Sequence, residues 1–368
     1  VEPFKNAFDE AAVRALAARV HGQEPAFPVE RFVQQATDGL HALELKARVV
    51  QIAAALRACL PGEVPAALQV LVATLGPPFD PEVANGGSFQ VWPLTQFVQD
   101  FGLDHPDASL DALHAMTQRF TGEFAIRPFL RLHPERTLER LEGWVHDPSV
   151  HVRRLVSEGS RTRLPWGERL QRFIDDPSPT LALVERLRDD PAEYVRRSVA
   201  NHLNDLAKDH PELVVDIARR WWEERDHNDR QRLVRHALRT LIKQGHPGAL
   251  GVIGFGAAGR VGLRALRVEP SVSLGGALGV EVELHNPGDQ PVDVLLDLVV
   301  HHLRAGGGWS PKVFKWTTLT LAAGETRRLQ RRHPMKVVTT RRYYPGAHRV
   351  EVQVNGEVLG GEGFELLG

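Results

Sequence analysis

Apolar residues recur at helical spacing along the first two thirds of the chain and alternate along the last third. Leu43, Ala47, Val50, Ile52, Ala54 and Leu56 lie in one run without Gly or Pro, the pattern of a packed helix. Pro61-Gly62, Gly76-Pro77-Pro78 and Asn85-Gly86-Gly87 break such runs. At His133-Pro134, Asp147-Pro148, Asp176-Pro177 and Asp190-Pro191 a proline stands where a new helix can begin. The breaks repeat. Thr137, Leu138, Leu141, Trp144, Asp147, Val152, Arg153 and Arg154 match Thr180, Leu181, Val184, Leu187, Asp190, Val195, Arg196 and Arg197, each 43 positions on. A looser copy returns His210-Pro211 as His246-Pro247. Two helices per about 40–47 residues is the HEAT-type period. One such pair does not bury its apolar face alone, so neighbours stack into a continuous core. Residues 1–250 are expected to form an α-solenoid of HEAT-like repeats, with an irregular helical domain as the plainer alternative.

Residues 251–262 hold five glycines and are expected to be a linker. Gly254-Phe255-Gly256-Ala257-Ala258-Gly259 fits G-x-G-x-x-G, but a dinucleotide site needs a following crossover helix, and β-type sequence follows instead. Strands are predicted over 280–284, 292–300, 313–321 and 349–354, with turns at Asn286-Pro287-Gly288-Asp289, Ala323-Gly324-Glu325 and Asn355-Gly356. The last is a hairpin signal. About seven short strands over 263–368 predict an immunoglobulin-like sandwich, with Tyr343 or Tyr344 a candidate tyrosine corner. The fold class is multidomain, α then β.

The 368 residues carry 45 Lys and Arg against 46 Asp and Glu. A global basic field is excluded, so a nucleic-acid partner requires local patches. The single cysteine, Cys59, excludes a disulfide framework and is expected to be a buried thiol. Seventeen histidines form no H-E-x-x-H, and His301-His302 point to opposite faces of a strand, so no metal is expected. No apolar run is long enough to span a membrane, and a soluble, cytoplasmic protein is expected. Trp221-Trp222 are expected to pack.

On the helix beginning at Val150, Val152, Leu155, Val156 and Gly159 form one stripe, with Arg154, Glu158 and Arg161 in a row opposite. In the next repeat Val195, Val199, Leu203 and Leu206 face inward. Arg197, Asn201, Asn204 and Lys208 share the outer row, with Asp205 at its edge. Arg, Lys and Asn suit phosphates and base edges, whereas the carboxylates repel DNA. Chemistry is one reason for a carboxylate in a basic groove, and a solvated face with ion pairs is the plain one. A second basic cluster, Arg327, Arg328, Arg331, Arg332, Lys336, Arg341 and Arg342, contains no acid and interleaves Thr339, Thr340, Tyr343 and Tyr344. It suits a nucleic-acid backbone, or a strand edge guarded by charge.

Ser157-Glu158-Gly159-Ser160-Arg161-Thr162-Arg163-Leu164-Pro165-Trp166 closely resembles the hallmark segment of the AlkC-type alkylpurine DNA glycosylases. Pro3-Phe4-Lys5-Asn6, Ala200-Asn201-His202-Leu203-Asn204-Asp205-Leu206 and Thr339-Thr340-Arg341-Arg342-Tyr343-Tyr344-Pro345-Gly346 extend the resemblance over the chain, including the immunoglobulin-like domain. The resemblance implies base excision of cationic N3-alkylated purines, chiefly 3-methyladenine, from double-stranded DNA without full base flipping. Glu158 and Asp205 match the family's catalytic carboxylates, Glu123 matches a third acid, and Trp166 would lie against the lesion's sugar. Arg154, Arg161, Arg163, Arg197, Asn201, Asn204, Lys208, Thr339, Thr340, Arg341 and Arg342 would contact DNA. A monomeric, monofunctional hydrolase of base excision repair without cofactor is implied. The alternative is a non-enzymatic HEAT scaffold that binds DNA or protein. A close approach of Glu158, Trp166 and Asp205 would favour the enzyme.

Overall fold

The computed structural model describes residues 3–79, 89–224, 228–256, 261–338 and 341–368. Among these, sixteen α-helices precede eight strands. The helices are α1 (Glu10–Gln23), α2 (Val29–Thr37), α3 (Leu45–Cys59), α4 (Val64–Ala73), α5 (Trp92–Phe101), α6 (Pro106–Thr117), α7 (Arg127–Leu132) and α8 (Pro134–Trp144). They continue as α9 (Val150–Gly159), α10 (Gln171–Asp175), α11 (Ser178–Leu187), α12 (Glu193–Leu206), α13 (Pro211–Glu224), α14 (Asn228–Ala237), α15 (Arg239–Lys243) and α16 (Pro247–Val252). No single helix is long and apolar enough to cross a membrane among the described residues. Contacts divide the chain into two units, Val1–His210 with Asp226–Ala237, and Pro211–Arg225 with Leu238–Gly368. This division groups α13, α15 and α16 with the strands.

In the first unit the apolar stripes lie inward as the period predicts. Val152, Leu155 and Val156 of α9 are buried, as are Val195, Val199, Leu203 and Leu206 of α12. Helix α9 packs beside α12, and α12 beside α14. The 43-residue repeat is also a repeat of hydrogen bonds. Asp147 Oδ1 accepts from the Ser149 amide at 2.7 Å, and Asp190 Oδ1 from the Ala192 amide at 2.9 Å, so each aspartate closes the turn inside its helix pair. Arg153 Nη1 donates to the carbonyls of Asp147 and Pro148, and Arg196 Nη1 to those of Asp190 and Pro191. The same guanidinium then reaches forward, Arg153 to Asp190 at 2.6 Å and Arg196 to Asp229 at 3.0 Å. Each arginine thus ties its own turn to the next pair.

One expectation fails at the end of α3. Cys59 is half-exposed rather than buried, with Sγ 3.7 Å from Gln35 Oε1. The apolar run around it belongs to a helix whose last turn presents this position partly to solvent.

The second unit holds the sandwich. Its strands are β1 (Gly262–Val268), β2 (Ser271–Ser273), β3 (Ala277–His285), β4 (Val292–Leu303), β5 (Trp309–Leu321), β6 (Thr326–Pro334), β7 (Gly346–Val354) and β8 (Glu357–Leu367). One sheet has the order β1-β3-β6 and the other β2-β8-β7-β4-β5. Short β2, paired parallel to β8, is the strand beyond the seven expected. Alternating residues of both sheets, among them Val282, Leu284, Leu296 and Val352, form the core. Asn355 and Gly356 turn the β7–β8 hairpin with φ of 47° and 87°, as a primed turn requires. The Asn355 side chain bonds the Leu295 amide and the Asp293 carbonyl. A Cβ on Gly356 would lie 2.5 Å from the Gly245 Cα, so this hairpin is Gly-dependent for contact as well as for φ. His301 and His302 do point apart: His301 pairs with Glu351 at 2.8 Å and His302 is buried. Trp221 is wholly buried, as expected. The G-x-G-x-x-G segment ends outside the described residues.

Candidate active site

Helices α9 and α12 lie side by side, and the rows opposite their apolar stripes meet. The acids there are not solvated: Glu158 is 5% exposed, Asp205 3% and Arg161 6%. Arg161 joins the two carboxylates, donating from Nη1 to Glu158 Oε1 at 2.6 Å and from Nε to Asp205 Oδ2 at 2.7 Å. Glu158 Oε2 accepts from Ser198 Oγ at 2.6 Å, and Asp205 Oδ1 from Lys208 Nζ at 2.9 Å. Arg154 extends the network, 3.5 Å from Glu158 Oε1 and 3.1 Å from Glu123 Oε2. Its guanidinium lies 4.8 Å over the Tyr194 ring. Thr121 Oγ1 donates to Glu123 Oε2 at 2.8 Å. Burial opposes the charge on Glu158, but Arg154, Arg161 and the Ser198 hydroxyl outweigh it and hold the carboxyl below its usual range. The result is a line of fixed negative charges interleaved with cations.

The segment after α9 is pinned from beneath. Arg127, with no exposed surface, donates from Nη1 to the carbonyls of Gly159 and Arg161 at 2.8 and 2.7 Å, and from Nε to that of Glu168 at 2.9 Å. Burial pushes it down to about 10, so it remains charged at neutral pH. A Cβ on Gly159 would meet Ile126 Cγ2 at 2.5 Å, so this close approach also requires glycine. The segment ends in Trp166, 70% exposed and held at φ 66°, a left-handed conformation that is strained for a side chain of this size. Lys46 Nζ donates to the Trp166 carbonyl at 2.7 Å.

Behind the carboxylates lies His202, fully buried, its Nδ1 3.1 Å from the Ser157 carbonyl and its Nε2 unpartnered. Burial lowers it to about 4, so it is neutral at physiological pH.

The structure therefore brings Glu123, Glu158 and Asp205 into one network. Trp166 stands on the same pinned segment and contacts Lys46 rather than the acids. The expected DNA-contacting cations divide. Arg154 and Arg161 are engaged by the acids, and Arg163 makes a bidentate pair with Asp209 at 2.7 and 2.5 Å. Arg197 is exposed, and Lys208, also exposed, bonds Asp205. Asn201 lies 2.9 Å from His236 Nε2, and Asn204 is buried. In the sandwich, Arg327 pairs with Glu325, Arg328 with Glu281 and Arg332 with Glu269, while Arg331 bonds the Lys315 carbonyl. Those four arginines are therefore engaged within the unit. Arg342 stacks over Tyr344 at 5.4 Å, and Arg341 is half-buried. Thr339 and Thr340 lie outside the described residues.

Sequence reasoning missed Ser198, Tyr194, Arg127 and Lys46. Tyr194 and Ser198 continue the α12 row of Asn201 and Asp205 at helical spacing, so extending that row toward its N-terminus would have found them. Arg127 and Lys46 carry no local signal, because their partners lie 32 to 120 positions along the chain.

A family model described as the C-terminal Ig-like domain of the uncharacterised protein YhaZ matches residues 263–368. The uncharacterized protein YhaZ of Bacillus subtilis (strain 168) is 35% identical over 365 residues, covering 99% of each chain. The Pseudomonas fluorescens alkylpurine DNA glycosylase AlkC, solved bound to DNA containing an abasic site analog, is similar over 100% of both chains. Its TM-score is 0.89 and its identity 36%.

Proposed function

The chain belongs to the AlkC-type alkylpurine DNA glycosylase family, and from that membership we propose that it hydrolyses the N-glycosidic bond of cationic N3-alkylated purines in duplex DNA. 3-Methyladenine is the chief substrate, and full base flipping is not required. The observation that carries the reading is the buried pair Glu158 and Asp205, joined through Arg161 on the segment that resembles the family hallmark.

A 3-alkylated adenine already bears positive charge, so it leaves without protonation by an acid. The C1′–N9 bond breaks with both electrons moving to the base, and positive charge spreads into the sugar. Preorganised carboxylates stabilise that charge without reorganising. Glu158, kept ionised by its arginines, and Asp205 fill this role, and one of them orients the attacking water. Glu123 adds a third negative charge through Arg154. Trp166 offers its exposed face to the sugar. No amine nucleophile is called on, so the enzyme is monofunctional and leaves the strand intact. Arg197 and Lys208, the exposed cations of the row, take phosphates, with Asn201 and Asn204 alongside. Arg154, Arg161 and Arg163 principally hold acids. Residues 1–250 carry binding and catalysis, and 263–368 adds Thr339, Thr340, Arg341 and Arg342 as DNA contacts. The protein acts as a monomer in the cytoplasm.

The test is release of free 3-methyladenine from methylated duplex DNA by purified protein. Glu158→Gln and Asp205→Asn should each lower single-turnover release about 100-fold or more, with binding to undamaged DNA unchanged or tighter. Near-normal release by both variants removes the pair from the mechanism.

A further inference from the structure

A cavity of about 520 Å³ opens beside Trp166, walled by α3, α5, α7 and the segment that carries the tryptophan. Its size falls within the range of small-molecule sites. Two of its walls are aromatic: the exposed Trp166 ring, and Phe124 with Trp92 stacked behind it at 5.9 Å and 24°. Lys46 stands between them, its ammonium 5.9 Å from the Trp166 ring centre and 5.4 Å from that of Phe124. One of its three donors is held by the Trp166 carbonyl. Helix α5 supplies a polar wall of Gln96, Gln99 and Asp100. Gln96 donates to Asp100 at 2.8 Å, and burial pushes that carboxyl up.

Flat aromatic faces with amide and ammonium groups between them suit a planar nitrogen heterocycle. Arg131 and Glu168, also in the lining, pair with each other at 3.3 Å, which leaves Lys46 as the charge against the ring faces. An ammonium on the ring faces repels a cationic purine and donates to the ring nitrogens of a neutral one. The reaction makes that change. The alkylated purine is a cation while joined to the sugar. It is neutral once the C1′–N9 electron pair has moved onto it, water has added hydroxide to C1′ and the proton has passed to solvent. N9 is then a free acceptor.

We propose that this cavity is a product site, which receives the neutral purine as it leaves the sugar and excludes the cationic, sugar-bound form. The proposal rests on the glycosylase reading and adds to it a ligand, a place and a charge preference.

The test uses the intact, DNA-free protein and two probes in calorimetric titration: neutral 3-methyladenine, and the 3,9-dimethyladeninium cation as a mimic of the joined base. The neutral probe should bind at one site per chain, at least tenfold more tightly than the cation. Val50, exposed on α3 at the cavity edge, is replaced by Trp to fill the space, with Gln99→Trp as a second filling variant should Val50→Trp fail to fold. Filling should weaken binding of the neutral probe at least tenfold and leave single-turnover excision unchanged. Absence of saturable binding, equal binding of the cation, or filled variants that bind as well as the parent would each overturn the proposal. Filled variants that instead lose affinity for abasic-site DNA, with no binding of free base, would assign the cavity to a nucleotide of the duplex and also overturn it. Excision without base binding defeats the cavity and leaves the glycosylase reading standing. Base binding without excision defeats that reading and, with it, the product role, and leaves only a purine-binding cavity.

Discussion

Ser198 donates a hydrogen bond to Glu158, and that contact has a measurable signature. Hydrogen bonds to a charged group contribute about 1.5–3 kcal/mol. Removing the hydroxyl by Ser198→Ala leaves Glu158 Oε2 without its 2.6 Å donor, loosens the carboxylate and raises its pKa. Single-turnover excision should fall about tenfold, the equivalent of about 1.4 kcal/mol. The acid limb of the pH–rate profile should move to higher pH. An unshifted limb would mean that Ser198 serves packing only. Glu158 and Asp205 stood out as carboxylates in basic helical rows, but the rows alone suited a solvated face as well, and their proposed role came from the resemblance; that both are buried needed the fold. Ser198 was not, since a serine within a helix most often bonds back to its own backbone. Arg127 was hidden for a related reason: its partners are carbonyls, which every residue has.

At the scale of elements, the period of 43 was legible because apolar stripes, prolines and turn aspartates all repeat with it. The pairing of Arg153 and Arg196 was legible only as a repeated residue type, and its double use within and between helix pairs needed the fold. Equivalent geometry predicts equivalent loss. Arg153→Met and Arg196→Met should each destabilise the first unit by about 2 kcal/mol or more, since each leaves a charge partner and two turn carbonyls short of a donor. Thermal unfolding would check this, and a loss from only one of them would break the equivalence. In the sandwich, the run of seven basic residues looked like a free patch because two of its acids, Glu281 for Arg328 and Glu269 for Arg332, are distant in sequence. Glu281 on β3 faces Gln330 across the β3–β6 ladder, beside Arg328, and neutralises it. Strand register decides that pairing, and local composition does not report it. Cys59 was misread in the same way, because a run of apolar residues does not show which turn of a helix meets solvent.

For the whole molecule, two units with different buried histidines predict a two-part acid response. His202 belongs to the first unit and is lowered to about 4 by burial. His302 and His333 belong to the second and are lowered, by burial first and nearby cations next, to about 3 and about 4. Above pH 6.5 none of them holds a proton in either state. Below it the unfolded chain gains a proton at each site and the folded chain does not, so stability falls until about pH 4. Each histidine contributes about 1.4 kcal/mol per pH unit over that window. The second unit, with two such groups, should lose its folded signal at higher pH than the first, and His302→Leu should flatten its acid dependence. Calorimetric scans at pH 7, 6 and 5 would resolve the order, and pH-independent transitions would refute it. Trp166 sets a different limit on the molecule. Its left-handed backbone would suit glycine better, by an amount on the order of 1 kcal/mol. Selection for heat resistance alone would therefore move this position toward glycine, and, given the contact with the sugar proposed for it, selection for repair would hold it at tryptophan. A thermophilic version of this enzyme would have to recover the difference elsewhere in the chain, so thermal tolerance and excision are opposing pressures on one codon.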